Sequence, residues 1–106
     1  MTSDTAETPV KVVHLIVEGR VQGVGYRAWC AEGAQGRGLS GWVRNRASGS
    51  VEAVLAGPAE AVDEMAAASR TGPAGARVDT LRLYDAADTA LAASGGWGRF
   101  VVLPTL

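Results

Sequence analysis

A run of β-branched residues that ends in a glycine-rich loop is the feature that most constrains this chain. Residues Val10–Val17 are apolar except for Lys11 and His14, which predicts a strand buried on at least one face. A loop, Gly19–Gly25, follows, and the next residues predict a helix over Tyr26–Arg37. The chain therefore opens with a strand-to-helix crossover, and the right-handedness of such crossovers leaves few topologies open.

The remaining patterns complete an α+β order of elements. Two short strands with a hairpin-length turn between them are followed by a helix that opens at Gly57 and Pro58 and buries one narrow face. The predicted strands after the first are Leu39–Asn45, Ser50–Ala56, Arg77–Tyr84 and Arg99–Leu103, and residues 85–98 are either a loop or a frayed turn. The economical topology is a ferredoxin-like βαββαβ sandwich, in which two helices cover one face of an antiparallel sheet and a fifth strand lies at an edge.

Length and composition bound what the chain does. With 106 residues it forms one domain, predicted over residues 10–106, after a polar tail over residues 1–9 that we expect to be disordered. The single cysteine, Cys30, excludes an intramolecular disulfide and a multi-cysteine zinc site. The apolar runs are too short for a membrane helix, and the first residues lack a signal-peptide pattern. We therefore expect a cytoplasmic protein without a membrane partner, and a monomer by default.

The charges are unevenly distributed along the chain. The formal net charge of −1 argues against a general polyanion binder. Residues 18–50 nevertheless carry a net charge of +3, whereas residues 51–106 carry −3. The basic excess therefore coincides with the glycine-rich part of the chain.

The loop between the first strand and the first helix has the features of an anion site. Its glycines allow the backbone to approach a ligand closely, and the N–H groups at a helix start are unpaired donors in a positive field. Arg27 follows in the first helical turn, where its guanidinium is placed to bind the same anion. A tight turn whose glycines serve only geometry is the alternative, and spacing alone leaves both readings open.

Other glycine motifs do not fit this loop. A Walker A loop needs a lysine and a hydroxyl residue that the segment lacks, and a dinucleotide fold needs repeated βαβ units. A cysteine phosphatase places its nucleophile before the loop, whereas Cys30 follows Arg27 and is predicted to be a small buried helix residue.

Several segments together resemble the acylphosphatase family. They are GRVQGVGYR at 19–27, GLSGWVRN at 38–45, SGSVEA at 48–53, TGPAGARV at 71–78 and a terminal RFVVLP, and the similarity spans about residues 11–104. The resemblance implies a ferredoxin-like fold and a small-molecule substrate, an acyl phosphate. It also implies hydrolysis of that acyl phosphate to a carboxylate and inorganic phosphate, without a metal or another cofactor.

The resemblance also implies roles for individual residues. The backbone amides of the loop would hold the phosphate, Arg27 would bind it, and Asn45 would position the attacking water. The loop residues in question are Arg20, Val21, Gln22, Gly23, Val24 and Gly25. The matched motifs contain no obvious general base, so we expect a phosphate oxygen of the substrate to accept the water's proton. Cys30 and Arg37 depart from the family pattern within the first helix, where they bear on helix stability more than on chemistry.

A second class of function stays open at this point. A non-catalytic anion- or nucleic-acid-binding module can adopt the same fold. RNA-binding domains of this architecture stack bases on aromatic residues of a central strand, and Ser50–Ala56 has none, which disfavours nucleic acid. His14 and Trp42 are predicted to be structural, with Trp42 and Arg44 on one face of their strand and Val43 and Asn45 on the other.

Overall fold

The computed structural model describes residues 9–106 as five strands, two α-helices and one 3₁₀ helix. The elements are β1 Val10–Arg20, α1 Tyr26–Gly36, β2 Ser40–Asn45, β3 Val51–Pro58, α2 Ala59–Ser69, β4 Arg77–Asp85, a 3₁₀ helix Asp88–Ser94 and β5 Phe100–Val102. The predicted disordered tail lies outside the described residues, apart from Pro9. No helix within residues 9–106 is long and apolar enough to cross a membrane.

The sheet has the strand order β4-β1-β3-β2-β5. The first four strands pair antiparallel, and β5 joins the edge beside β2 in a parallel pairing. Because the chain reverses direction as it crosses from β4 at one edge to β5 at the other, β5 runs the same way as β2. The predicted ferredoxin-like α+β fold with a fifth edge strand is confirmed.

The two faces of the sheet have separate cores. On one face α1 and α2 cover alternate residues of the strands, among them Val13, Leu15, Val43 and Leu55, together with Cys30 of α1. On the opposite face the 3₁₀ helix, where the sequence left a loop or a turn open, brings Leu91 against Trp42, Val54 and Ala56. The period-two alternation of the strands thus decides which face each side chain serves.

A β-bulge at Gly19 carries β1 to Arg20, three residues past its predicted end at Val17. The register with β4 shifts between Glu18 and Gly19, and Gly19 has a φ of 133°. A Cβ at this position would lie 2.2 Å from the carbonyl oxygen of Arg77, so only glycine fits. The bulge brings the end of β1 to the loop that leads into α1.

The start of the second helix differs from the prediction. β3 runs through Gly57 to Pro58, and α2 begins at Ala59. Pro58 has a φ of −54° and a ψ of 134°, an extended conformation that continues the strand. The proline therefore lies immediately before the helix rather than inside its first turn.

Candidate active site

The loop between β1 and α1 ends in an uncapped helix N-terminus. Gly25 is the N-cap residue, with a φ of 80°, and no side chain caps the helix there. The first intrahelical hydrogen bond runs from Trp29 N–H to Gly25 O, at 3.0 Å. Within the described chain, no backbone N–H from Val21 to Ala28 donates a hydrogen bond. The loop and the first helical turn thus present a series of unpaired donors at the positive end of the helix dipole.

A cavity of about 320 Å³ lies at this helix N-terminus. The loop, the first turn of α1, the end of β2 and the end of β5 form its walls. Its lining residues are Val21, Gly23, Gly25, Tyr26, Arg27, Ala28, Asn45 and Val102. The fold therefore brings together Arg27 and Asn45, the two side chains that the sequence singles out.

Arg27 brings an uncompensated positive charge to the cavity. The side chain is half-buried in the first turn of α1. Its guanidinium has no hydrogen bond or ion pair with any residue in the described range 9–106. A guanidinium beside unpaired amide donors is a favourable site for a tetrahedral oxyanion, which can accept several charge-assisted hydrogen bonds at once.

Asn45 brings an unpaired acceptor to the same cavity. The alternation of β2 places Asn45 on the helix-covered face, as Val43 is, so the predicted facing is confirmed. Its Oδ1 atom is buried and has no hydrogen-bond partner among the residues described. A buried oxygen without a donor costs free energy, and a water or a ligand hydroxyl would remove that cost.

The other predicted loop residues differ in what their side chains do. Val21 is buried and lines the cavity, whereas Val24 packs against the helix-covered core. Arg20 is exposed at the end of β1, in register with Arg77, and does not line the cavity. Gln22 hydrogen-bonds outside the cavity, to backbone carbonyls. Of these residues, Arg20, Gln22 and Val24 retain only backbone groups as candidates for contact with an anion.

Three lining residues were missed by sequence reasoning, namely Tyr26, Ala28 and Val102. Val102 lies on the same side of β5 as the buried Phe100, but 47% of it is exposed where it borders the cavity. Its place beside the cavity follows from the parallel pairing of β5 with β2, which no local sequence pattern reveals.

The nucleophilic side chains near the cavity are protonated at neutral pH. Burial raises the pKa of the Cys30 thiol to about 12, and the side chain is almost completely inaccessible, as the sequence predicts. Burial also raises the pKa of the Tyr26 phenol, which donates a 2.6 Å hydrogen bond to the carbonyl oxygen of Ser69. Neither group can serve as an anionic nucleophile. The described residues also contain no cluster of three or more His, Cys, Asp or Glu side chains that could hold a metal ion.

A second polar cluster lies on the opposite face of the sheet, around Glu52. Its carboxylate accepts hydrogen bonds from Arg44 Nε at 2.8 Å and Arg46 Nη1 at 3.0 Å, and His14 Nε2 lies 2.6 Å away. Burial alone would raise the pKa of Glu52, but the bonds from His14, Arg44 and Arg46 outweigh burial and lower it to about 2. Because an ionised carboxylate can only accept hydrogen bonds, His14 Nε2 is the donor in its contact with Glu52. This satisfied cluster is separate from the cavity, and the structural interpretation of His14 agrees with it.

Comparison with known proteins identifies the family of this chain. The sequence profile of the acylphosphatase family matches residues 13–92. An acylphosphatase of Rhodopseudomonas palustris is 52% identical over 92 residues, which cover 87% of this chain and 93% of that protein. One of Azorhizobium caulinodans is 62% identical over 69 residues, or 65% of this chain and 74% of that protein.

Solved structures agree with the sequence comparison. The acylphosphatase of Bacillus subtilis superimposes with a TM-score of 0.77 at 32% identity, over 90% of this chain and 99% of that one. An acylphosphatase of Coxiella burnetii gives a TM-score of 0.80 at 26% identity, over 97% and 100% of the two chains. The fold is that of a small ferredoxin-like α+β domain, with a cavity at the N-terminus of its first helix. The chain belongs to the acylphosphatase family, which confirms the resemblance found in the sequence.

Proposed function

We propose that this protein hydrolyses the carboxyl–phosphate bond of acyl phosphates, releasing a carboxylate and inorganic phosphate. One observation carries the proposal: a single cavity brings together a guanidinium, several backbone N–H donors and a buried amide oxygen, none of which has a hydrogen-bond partner among residues 9–106. The first two suit a phosphate group, and the third suits a water molecule. The membership of the acylphosphatase family supports the same reaction.

In this proposal the phosphate is held by the backbone amides of residues 20–25 and by Arg27. These donors need little rearrangement to meet an anion, because they already lie at the uncapped start of α1. As the bond to the acyl oxygen breaks, negative charge grows on phosphate and carboxylate oxygens. Donors fixed in advance stabilise that charge more than freely moving water does.

Asn45 is proposed to orient the attacking water. Its Oδ1 accepts a hydrogen from the water, and its Nδ2 group can donate to the phosphate or to the water. The water oxygen forms a bond to phosphorus, and the bond between phosphorus and the acyl oxygen breaks. The carboxylate leaves with the electron pair of that bond.

The proton of the attacking water goes to a phosphate oxygen in this mechanism. Cys30 and Tyr26 are protonated at neutral pH and cannot accept it. The other residues that line the cavity are apolar, glycine, Arg27 or Asn45, none of which is a general base. A dianionic acyl phosphate then yields a carboxylate and dihydrogen phosphate, so atoms and charge balance.

The proposed site lies within one chain, which supports a monomer acting on a small-molecule substrate. The single buried thiol suits the reducing cytoplasm. Gel filtration of active protein tests the first point, since turnover that elutes only with a dimer would contradict it.

Hydrolysis of benzoyl phosphate in the presence of EDTA tests the proposed function. We expect wild-type turnover without added metal, and competitive inhibition by inorganic phosphate. Folded protein that shows no hydrolysis above buffer would contradict the proposal. Phosphate binding without hydrolysis would instead favour a non-catalytic anion-binding module.

A further inference from the structure

Gln22 lies in the middle of the loop, yet its side chain bonds outside the cavity. One amide group, Nε2, donates two hydrogen bonds, to the carbonyl oxygens of Arg46 at 2.8 Å and Ser50 at 2.9 Å. The side chain is half-buried, so these bonds are partly shielded from water. Both hydrogens of the amide therefore bond to the segment that contains Arg46 and Ser50.

The two acceptors lie at the neck of the hairpin that joins β2 and β3. Arg46 N–H donates to the carbonyl oxygen of Ser50 at 2.9 Å, which closes the hairpin between these residues. Asn45 is the residue immediately before Arg46 and the last residue of β2. The Gln22 amide therefore connects the anion loop to the strand end that carries the water-binding candidate.

The loop has few other polar attachments. The backbone N–H groups of residues 21–25 donate no hydrogen bonds to the residues described, and residues 19–25 include three glycines. Val21 and Val24 hold it by apolar packing, which fixes position less specifically than two directed hydrogen bonds. The Gln22 amide therefore supplies most of the directional constraint between the loop and the hairpin.

We propose that Gln22 is a positioning residue that sets the spacing between the phosphate-binding loop and Asn45. The inference rests on the proposed function, because it assigns the phosphate to the loop and the water to Asn45. Displacement of a reacting group by about 1 Å can cost about 100-fold in rate. A side chain that fixes both halves of the site at once would therefore affect phosphate affinity and kcat together.

The test compares Gln22→Met with Gln35→Met. Gln35 is a matched control, since its Nε2 also donates to a backbone carbonyl, that of Phe100 at 3.1 Å, but at the far end of α1. Methionine keeps the length of the side chain and removes the donors. We measure the dissociation constant of inorganic phosphate by calorimetry, kcat and KM for benzoyl phosphate, and the midpoint of thermal unfolding.

We expect Gln22→Met to weaken phosphate binding roughly tenfold and to lower kcat roughly tenfold, on the scale of one or two lost hydrogen bonds. Gln35→Met should leave both within about twofold, while the thermal midpoint falls comparably in the two variants. If Gln22→Met does not fold, Gln22→Asn, which keeps the amide on a shorter stem, should show the same two losses. Phosphate affinity and kcat that match those of Gln35→Met would overturn the inference.

The two proposals can fail separately. If the wild type binds phosphate without hydrolysing benzoyl phosphate, the proposed function is wrong, and the dissociation constants of the two variants still decide whether Gln22 positions the loop. If the wild type neither binds phosphate nor turns over, both proposals are overturned. If the wild type turns over and Gln22→Met is unchanged, only the positioning role is lost.

Discussion

Arg44 and Asn45 are neighbours on β2, but their side chains lie on opposite faces of the sheet and differ in how far their hydrogen-bonding groups are paired. Arg44 donates to Glu52 and lies 4.7 Å from the centre of the Trp42 ring, so its charge is paired and stacked. Asn45 buries an oxygen that no described residue satisfies. The Arg44 guanidinium is therefore paired within the protein, whereas the Asn45 oxygen is available to a ligand or a water molecule. Unmet bonding capacity, rather than polarity itself, separates the candidate site from a structural cluster.

The same contrast holds for the charged groups around each residue. On the Glu52 face the carboxylate has three cationic or donor partners, whereas Arg27 on the helix-covered face has none among residues 9–106. The contrast predicts that substitutions of Arg27 and Asn45, on the helix-covered face, lower activity with little loss of stability. Substitutions of the Glu52 cluster, on the opposite face, should lower stability with little loss of activity.

The largest expected effect follows from Arg27→Ala. Loss of the one guanidinium among the described residues that line the cavity should lower kcat/KM for benzoyl phosphate by about 1,000-fold. Because Arg27 makes no bond within the described chain, the free energy of unfolding should change little. Arg37→Ala, at the other end of α1, is the control and should retain activity. A stable Arg27→Ala enzyme with normal kcat/KM would refute the role of this residue.

Glu52→Gln should show the opposite pattern. It leaves Arg44 and Arg46 without a counter-ion. Because the Arg44 side chain is 20% exposed and that of Arg46 is 38% exposed, we expect the low end of the cost of breaking a buried pair, about 3 kcal/mol of unfolding free energy. Since Glu52 lies outside the cavity, kcat/KM should stay within about twofold of wild type. Urea unfolding and the benzoyl phosphate assay measure the two quantities. A large loss of activity at full stability would break the comparison between the faces.

The pKa of Glu52 also predicts how stability depends on pH. The folded pKa is lowered from 4.5 to about 2, so the stabilisation is fully present above the unfolded value. It is lost as the pH falls from about 4.5 towards 2, and amounts to roughly 3 kcal/mol. Unfolding free energies measured across this range should decline more steeply for wild type than for Glu52→Gln. Parallel curves would show that Glu52 is not the group responsible.

Asn45→Ala should lower kcat by about 100-fold, because water is no longer oriented for attack. KM and phosphate affinity should change little, since Arg27 and the loop amides remain. The variant also deletes a buried oxygen that has no partner among the described residues, so stability should not fall as it does for Glu52→Gln. Weakened phosphate binding at unchanged kcat would assign Asn45 to the phosphate rather than to the water.

The smallest effect is expected from the exposed ion pair between Lys11 and Asp63. Lys11 Nζ lies 2.8 Å from Asp63 Oδ1, a good geometry, but water screens both groups. Lys11→Met should therefore leave both the unfolding midpoint and kcat/KM unchanged. A stability loss as large as that of Glu52→Gln would show that burial is not what separates the two kinds of pair.

Local sequence patterns were sufficient for the fold, and the glycine-rich loop before a helix start pointed to Arg27, whereas Asn45 was singled out only by the family resemblance. Periods of two and of about 3.6 predicted the order of strands and helices, and the alternation of β2 placed Asn45 on the same face as Val43. The Glu52 cluster could not be predicted from such patterns, because His14 and Glu52 come into contact only through the register of β1 and β3. The hydrogen bonds from Gln22 to the hairpin could not be predicted either, since their acceptors lie 24 and 28 residues further along the chain.

The edge of the cavity was the least predictable part for a related reason. Val102 borders Asn45's cavity only because the chain after β4 crosses the sheet and returns parallel to β2. The bulge at Gly19 depends on the carbonyl of Arg77, far along the chain. Both features are set by tertiary contacts, whereas residue propensity and spacing report only on neighbours along the chain.

The glycine N-cap of α1, which no side chain of the described residues supplements, has a consequence for the stability of the whole molecule. A bound phosphate would take the place that a serine or aspartate side chain occupies at other helix starts. Phosphate that binds only the folded protein would then stabilise the native state, by about 2.7 kcal/mol at a concentration 100 times its Kd. In a cell, such a protein would be most resistant to unfolding when phosphate is plentiful.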